Sequence, residues 1–427
     1  MKKAVHQQRM HLTEDGDFQP SAKGRLFFDP SKPVFTDLSD VRLLRCAVDT
    51  VRQLYRGLLR PEVLALFEST EPVEFAGFEW SPGRVSRDSG YQYRLQNAQL
   101  GFILLLKNFN VSADVIGPHL KIEVSPHALD RVDPADLQQQ MDAFAAEALQ
   151  CVEVNQAAVH LALDVQGWKP SADLVAHMHC RARQTREFQG IESLCLDSHV
   201  SVYGRGETFT FGSASGLQLC IYNKSKQARA TDKGDYWHSV WGARNFDEED
   251  LFFNPAETVW RFEFRFHHSV VQQFADGSKN YETGEIINTR TYADLCPHLD
   301  GLWRYACGAF RLLSRPGVFD PFWTLITEDV RVQVESAPLL DNIEYRRYYK
   351  TAQGFSGKSC EMFLGQFVSL VARERLSAKK AIRAAKTLPF WTVIEEHYEA
   401  KGVSARDLER HISRLLSDRY LKRGFAI

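Results

Sequence analysis

Four segments of the chain alternate apolar and polar residues, and their polar rows hold a tyrosine, three acids and several cations. Side chains along a strand point alternately to opposite faces. In Val159–Val165 this sets His160, Ala162 and Asp164 against Val159, Leu161 and Leu163; in Leu217–Lys224 it sets Gln218, Cys220, Tyr222 and Lys224 against Leu217, Leu219 and Ile221. In Val259–His267, Arg261, Glu263, Arg265 and His267 oppose Trp260, Phe262, Phe264 and Phe266, and in His119–Ser125 the polar row is His119, Lys121, Glu123 and Ser125. If these strands are neighbours sharing a polar face, Asp164 and Glu263, with Glu123 as a weaker third, suit a hard divalent cation, Mg2+ or Mn2+, through oxygen ligands. Tyr222 is then a candidate nucleophile at phosphorus, and Lys224, Arg261 and Arg265 are candidate cations for the phosphoryl oxygens. A solvated sheet face crossed by ordinary ion pairs has the same pattern, and periodicity alone leaves both readings open.

The order of short motifs goes further. Leu161-Ala-Leu-Asp164 is followed by the turn Gly212-Ser-Ala-Ser-Gly216, by Ile221-Tyr-Asn-Lys224, and by Trp260-Arg-Phe-Glu-Phe264; Gly90-Tyr-Gln-Tyr93 and His119–Ser125 stand upstream. This series, over roughly residues 90–315, resembles the Rep_trans family of rolling-circle replication initiators of plasmids and filamentous phages. The resemblance implies that Tyr222 nicks one DNA strand and becomes joined to the 5′-phosphate, leaving a 3′-OH for a polymerase. It implies Asp164, Glu263 and Glu123 as metal ligands, Lys224 and Arg261 as catalytic cations, and Lys226 as a further phosphate contact. A phenol with a pKa near 10 is a poor nucleophile at neutral pH, so a neighbouring cation or metal has to favour phenolate. Origin DNA, a host helicase and a host polymerase are the implied partners, with dimerisation at the origin a further expectation. The alternative is a non-catalytic DNA-binding regulator on the same scaffold.

The elements that must position these residues follow from period. Residues 1–36 are polar, with several Gly and Pro, and suit a loose arm. From Asp40 to about Glu68, apolar residues such as Val41, Leu44, Val48, Val51 and Tyr55 recur at helical spacing, which predicts a helix pair interrupted at Pro61. Beyond Pro72 the period becomes two, with turn residues between short runs. Pro134 to Cys151 and Ser171 to Phe188 read as helices, and from Thr291 onward the pattern is helical almost to the end. The expectation is an α+β protein with a central, mainly antiparallel sheet: an arm and helices over 1–70, a catalytic sheet domain over 71–290 and a helical, partly basic region over 291–427.

Competing signals have plainer explanations. His177-Met-His179 falls in the expected helix, where positions two apart diverge by about 200°. His411 and Arg414 with Tyr420 fit an amphipathic helix better than a recombinase site, because the tyrosine follows the arginine too closely. Tyr345, Tyr348 and Tyr349 suit packing at a helix surface.

The chain has 427 residues, with 52 Lys+Arg against 54 Asp+Glu for a formal charge of −2. A uniformly basic nucleic-acid coat is thereby excluded. Charge is uneven, however: Lys358–Ile427 holds 14 Lys+Arg and 8 Asp+Glu, a net +6 that leaves −8 for the rest. Lys379, Lys380 and Arg383 in that tail are candidate DNA contacts. No apolar run approaches the length that spans a bilayer, and none follows Lys2 and Lys3, so neither a membrane nor a secretory route is expected. The eight cysteines form no CxxC pair, which suits a reducing bacterial cytoplasm.

Overall fold

The computed structural model describes residues 11–12, 26–29, 34–86, 89–180, 185–192, 201–243, 252–332, 342–348, 357–400 and 403–423, with single positions between 334 and 340. Most of the expected arm over 1–36 and the run 193–200 lie outside the described residues. The chain divides into a large unit, residues 1–275 and 279–345, and a small one, residues 276–278 and 346–427.

The large unit is built on one sheet of eleven strands. In chain order these are β1 (Arg42–Leu59), β2 (Val73–Phe75), β3 (Phe78–Arg84), β4 (Tyr91–Asn97), β5 (Phe102–Asn108) and β6 (Gly117–Val124). They continue with β7 (Leu149–Gln166), β8 (Thr185–Glu192), β9 (Ser201–Gly212), β10 (Leu217–Asn223) and β11 (Trp260–Phe266). The spatial order is β8-β9-β10-β11-β7-β1-β6-β5-β4-β3-β2. Every pairing within it is antiparallel. The α+β class with a central antiparallel sheet is therefore as the alternating pattern implied.

β1 and β7, 18 residues each, form the middle of the sheet. β11 pairs with β7 over Val159–Val165, whereas β6 pairs with β1 over Val51–Gly57. Because Val51 lies opposite Val159, the two wings attach to opposite halves of the central pair and are staggered along it. Four register shifts are spread along the β1–β7 ladder, with that at His160/Leu161 next to the point where the wings meet.

The apolar rows face helices. Phe262, Phe264 and Leu161 share one buried cluster with Leu137, Met141 and Phe144 of α1 (Pro134–Ala148). Leu299, Leu302 and Trp303 of α5 (Leu299–Ala309), and Phe322 and Trp323 of α6 (Pro321–Glu328), complete that cluster. α1 starts as local chemistry requires: Asp133 caps it by accepting from the Ala135 N–H at 3.0 Å, with Pro134 in the first turn. α2 (Lys224–Ala230) and α3 (Gly234–Gly242) follow β10, and α4 (His268–Gly277) follows β11.

Several expectations are corrected. Asp40–Glu68 is chiefly the long strand β1, not a helix pair; it carries a register irregularity at Tyr55/Gly57 and buries residues on both faces, which places apolar residues at intervals that mimic a helix. The sheet domain accordingly begins near residue 42, and its unit runs to Tyr345, past Thr291. The described residues of Ser171–Phe188 form a single helical turn, Leu174–His177, the strand Met178–Cys180 paired with Phe310–Leu312, and the start of β8. Residues after Thr291 include strands Phe310–Arg315 and Val318–Phe319 as well as helices. Tyr345 lies next to the short strand Ile343–Glu344, stacks on Phe274 and contacts His298 through its hydroxyl, rather than lying on a helix.

In the small unit, α7 (Gly357–Arg373), α8 (Ala378–Lys386), α9 (Trp391–Glu399) and α10 (Ala405–Arg423) surround a core of Leu364, Val368, Ala381, Ile394, Leu408 and Ile412.

Candidate functional site

Strand register sets the polar residues in rows across the sheet. One row is Thr208, Tyr222, Arg261, Asp164 and Arg45; the next is Thr210, Cys220, Glu263, Ala162 and Ala47; the third is Gly212, Gln218, Arg265, His160 and Thr50. The alternation that marks these residues in the sequence is thus realised on adjacent strands, and Tyr222, Arg261, Asp164, Glu263 and Arg265 do share a face.

Two separate networks occupy that face. Tyr222 donates its hydroxyl to Glu263 Oε2 at 2.9 Å. Glu263 Oε1 accepts from Arg265 Nε at 2.8 Å and lies 3.0 Å from His160 Nδ1. Arg265 Nη1 reaches Gln218 Oε1 at 3.2 Å. Burial opposes ionisation of Glu263, yet Arg265 and His160 hold its carboxyl well below the usual carboxylate range. Burial, then the charge of Arg52, lowers the pKa of His160, which keeps it neutral at pH 7 and assigns the Nδ1 proton to the contact with the carboxylate. Burial and the adjacent Glu263 push the Tyr222 phenol well above its ordinary value, so the resting hydroxyl is protonated.

The second network centres on Arg261. Its Nε and Nη2 donate to the two Asp164 oxygens at 2.6 and 2.7 Å, and its Nη1 pairs with Asp49. Asp164 Oδ2 also accepts from the Trp241 indole at 2.8 Å. The guanidinium carbon lies 4.3 Å from the Trp237 ring centre, and Lys224 Nζ lies 4.2 Å from it. Lys224 sits at the start of α2 and donates to Gln227 Oε1 at 2.7 Å; burial, then the Arg261 charge, lowers its pKa to about 7. Lys224 and Arg261 are therefore interior residues that fix α2 and α3 against the sheet, not cations presented to a ligand. Lys226 is exposed on α2.

Beside the first network, where the staggered wings meet, lies a cleft of about 730 Å3. Arg52, Lys121, His160, Gln218, Arg265 and the pair His267–His268 line it, brought together from β1, β6, β7, β10, β11 and the junction of β11 with α4. Glu123 stands behind this wall, its Oε1 3.1 Å from Arg52 and 3.0 Å from Lys121. Those two cations hold it below the ordinary carboxylate range despite its burial. The second Glu123 oxygen is buried without a partner. His268 is pulled down to about 4 by burial and the neighbouring His267, so it is neutral at pH 7.

The donor set expected for Mg2+ or Mn2+ does not fit a cation as it stands. Asp164 and Glu263 engage every carboxylate oxygen with guanidinium, indole, imidazole or phenol donors, and Glu123 belongs to a different pair of cations. Among the described residues no group of three His, Cys, Asp or Glu is placed to hold a metal. Buried carboxylates facing guanidinium are already neutralised, so a cation would have to displace Arg261 or Arg265.

The chain is 64% identical over 431 residues to the Uncharacterized protein ORF430 of Pseudomonas phage Pf1, with both chains covered in full. It belongs to the ORF430 family. No family model matches the chain. For this ORF430-family chain the residues that the sequence left out are as informative as those it supplied. His160 and Lys121 stood in the alternating rows but without a role, and they become the wall of the cleft. Arg52 and Asp49 were hidden inside the segment whose spacing mimics a helix. Trp237 and Trp241 come from α3, beyond any strand pattern, and their aromatic spacing was the available signal. Of the tail residues, Lys379, Lys380 and Arg383 lie exposed on α8 in the small unit. Among the described residues no helix is long and apolar enough to cross a membrane.

Proposed function

We propose that this protein is a rolling-circle replication initiator that nicks one strand of origin DNA through Tyr222. The observation that carries the reading is the hydrogen-bonded chain from Tyr222 through Glu263 to His160, set directly behind a wall of Arg265, Lys121 and Arg52. A phage relative is compatible with it. In the step, the Tyr222 oxygen forms a bond to phosphorus as its proton passes to Glu263, and the bond from phosphorus to the 3′ oxygen breaks. The 3′ oxygen takes a proton from water and leaves as a 3′-OH, while the 5′-phosphate stays on the tyrosine. Charge on the phosphoryl oxygens falls to the cations of the cleft wall. His160 donates its Nδ1 proton to Glu263 Oε1 and so orients the carboxylate whose other oxygen takes the phenol proton. Mg2+ or Mn2+ has no part in this step. Host helicase and polymerase, and a dimer at the origin, belong to the same proposal.

A second reading has an observation of its own. Tyr222 is only 6% exposed and is not among the residues lining the cleft, as expected if the face merely binds DNA and regulates it. Mixing the protein with supercoiled plasmid carrying the replicon's origin separates the two. The initiator yields open circle and a DNA-linked protein band that survives denaturation, in EDTA as well as in Mg2+. Tyr222→Phe abolishes the adduct. Retarded plasmid without nick or adduct selects the regulator, and an unchanged adduct in Tyr222→Phe refutes the nucleophile assignment.

A further inference from the structure

The small unit carries a surface that the chemistry of Tyr222 does not use. α9 and α10 are joined by the five residues 400–404, closed by the Val403 N–H to Tyr398 C=O bond at 2.9 Å. Ser404 begins α10, its hydroxyl accepting from the Asp407 N–H at 3.2 Å and donating to the Asp407 carboxylate at 2.7 Å. Along α10, Leu408, Ile412 and Leu416 are buried at a spacing of four. Arg406, Arg410 and Arg414 repeat at the same spacing two positions earlier and are exposed. Two positions on a helix turn the side chain by about 200°, so this arginine stripe points directly away from the core. It spans about 12 Å, two turns of the N-terminal half of the helix. α8, tied to α10 by Lys386 against Glu409 at 2.5 Å, exposes Lys379, Lys380 and Arg383.

A helix, a short turn and a second helix with an outward cationic face is the arrangement that places the second helix in the major groove of a duplex. The complement to two basic helices in a unit whose residues 358–427 carry a net +6 is a polyanion. We infer that the small unit is a duplex-DNA-binding module in which the Arg406–Arg410–Arg414 face of α10 enters the major groove and the α8 cations contact flanking phosphates. The inference rests on the replication reading only for the class of partner; it assigns duplex binding to a unit separate from the nicking residues.

The test uses the full chain carrying Tyr222→Phe, so that no adduct forms. Its affinity for a duplex of about 30 base pairs, and for a single strand of equal length, is followed by fluorescence anisotropy over a salt series. Substituting Arg406→Gln, Arg410→Gln and Arg414→Gln together should weaken duplex binding at least about tenfold and reduce the salt slope by about 2 to 3. Single-strand binding should change less than about twofold if it belongs to the cleft. Circular dichroism of the triple variant must match the parent, and Lys379→Gln with Lys380→Gln and Arg383→Gln, a second variant on α8, must weaken duplex binding in the same direction. Parental duplex affinity and slope in both variants overturn the inference and leave the stripe to an acidic protein surface. Its failure is distinct from failure of the nicking reading, because the arginine variants on an otherwise parental chain still form the tyrosine adduct on a single-stranded origin oligonucleotide.

Discussion

Arg261 is where the structure departs most consequentially from the role its position in the Arg-Phe-Glu motif suggested, and Arg261→Met measures the difference. The guanidinium is fully buried, donates twice to Asp164 and once to Asp49, and covers Trp237. Removing it leaves Asp164, 1% exposed, with one indole donor against a buried negative charge. Breaking a buried ion pair from one side costs about 3–5 kcal/mol. For a unit of this size that corresponds to a fall in Tm of roughly 5–10 °C. The pH dependence carries the mechanism. In the parent, Asp164 is held below its unfolded pKa by Arg261 despite burial, so its contribution is present above about pH 4 and is lost as pH falls through the depressed value. In Arg261→Met burial outweighs the Trp241 indole bond and the charge of Lys224, the pKa of Asp164 rises above the unfolded value, and the folded state takes up a proton first. The deficit is therefore greatest near pH 7 and shrinks by roughly half or more toward pH 4. Urea unfolding followed by tryptophan fluorescence, with seven of the eight tryptophans in the large unit, reads this directly. Adding Asp164→Leu to Arg261→Met should recover part of the loss, because the orphaned charge is gone. A loss below about 1 kcal/mol at pH 7, or one independent of pH, refutes the reasoning and returns Arg261 to the role of a phosphate contact.

Three further outcomes follow from the same contacts. Glu263→Gln, by removing the proton acceptor of Tyr222 and the counter-ion of Arg265, should lower adduct formation by about a hundredfold in a single-turnover assay while DNA binding falls less than about threefold. Lys224, with its pKa lowered to about 7 against an unfolded value near 10.4, makes the parent gain stability as pH rises from 7 toward 10; Lys224→Met should flatten that part of the Tm against pH curve. Gly167, at φ 77°, has no room for a Cβ, which would stand 1.9 Å from the Asp40 carbonyl oxygen; Gly167→Ala should cost about 2–4 kcal/mol, measured by thermal unfolding.

Much of the sheet was legible because alternation is a property of one strand. β6, β7, β10 and β11 each bury an apolar row and carry a polar one, and their sequences show it. β1 was not legible, because a strand with a register irregularity that is buried on both faces loses its period of two, and with it Arg52 and Asp49 disappeared from the candidate set. Helical periodicity served well where helices pack on one core, in α7 to α10.

The sequence by itself determined which residues share a face of each strand, that the fold is α+β, and that positive charge gathers in the tail. Which oxygen meets which cation was decided only by the tertiary structure. Strand register puts Arg261 opposite Asp164 and Arg265 opposite His160, and the stagger of the two wings opens the cleft at Arg52, Lys121 and Arg265 rather than at Lys224. An ion pair in the interior depends on distance and on exclusion of water, and both come from residues far apart in the chain: Asp49 and Arg261 are joined across the long central strands, with Trp237 of a later helix closing over them.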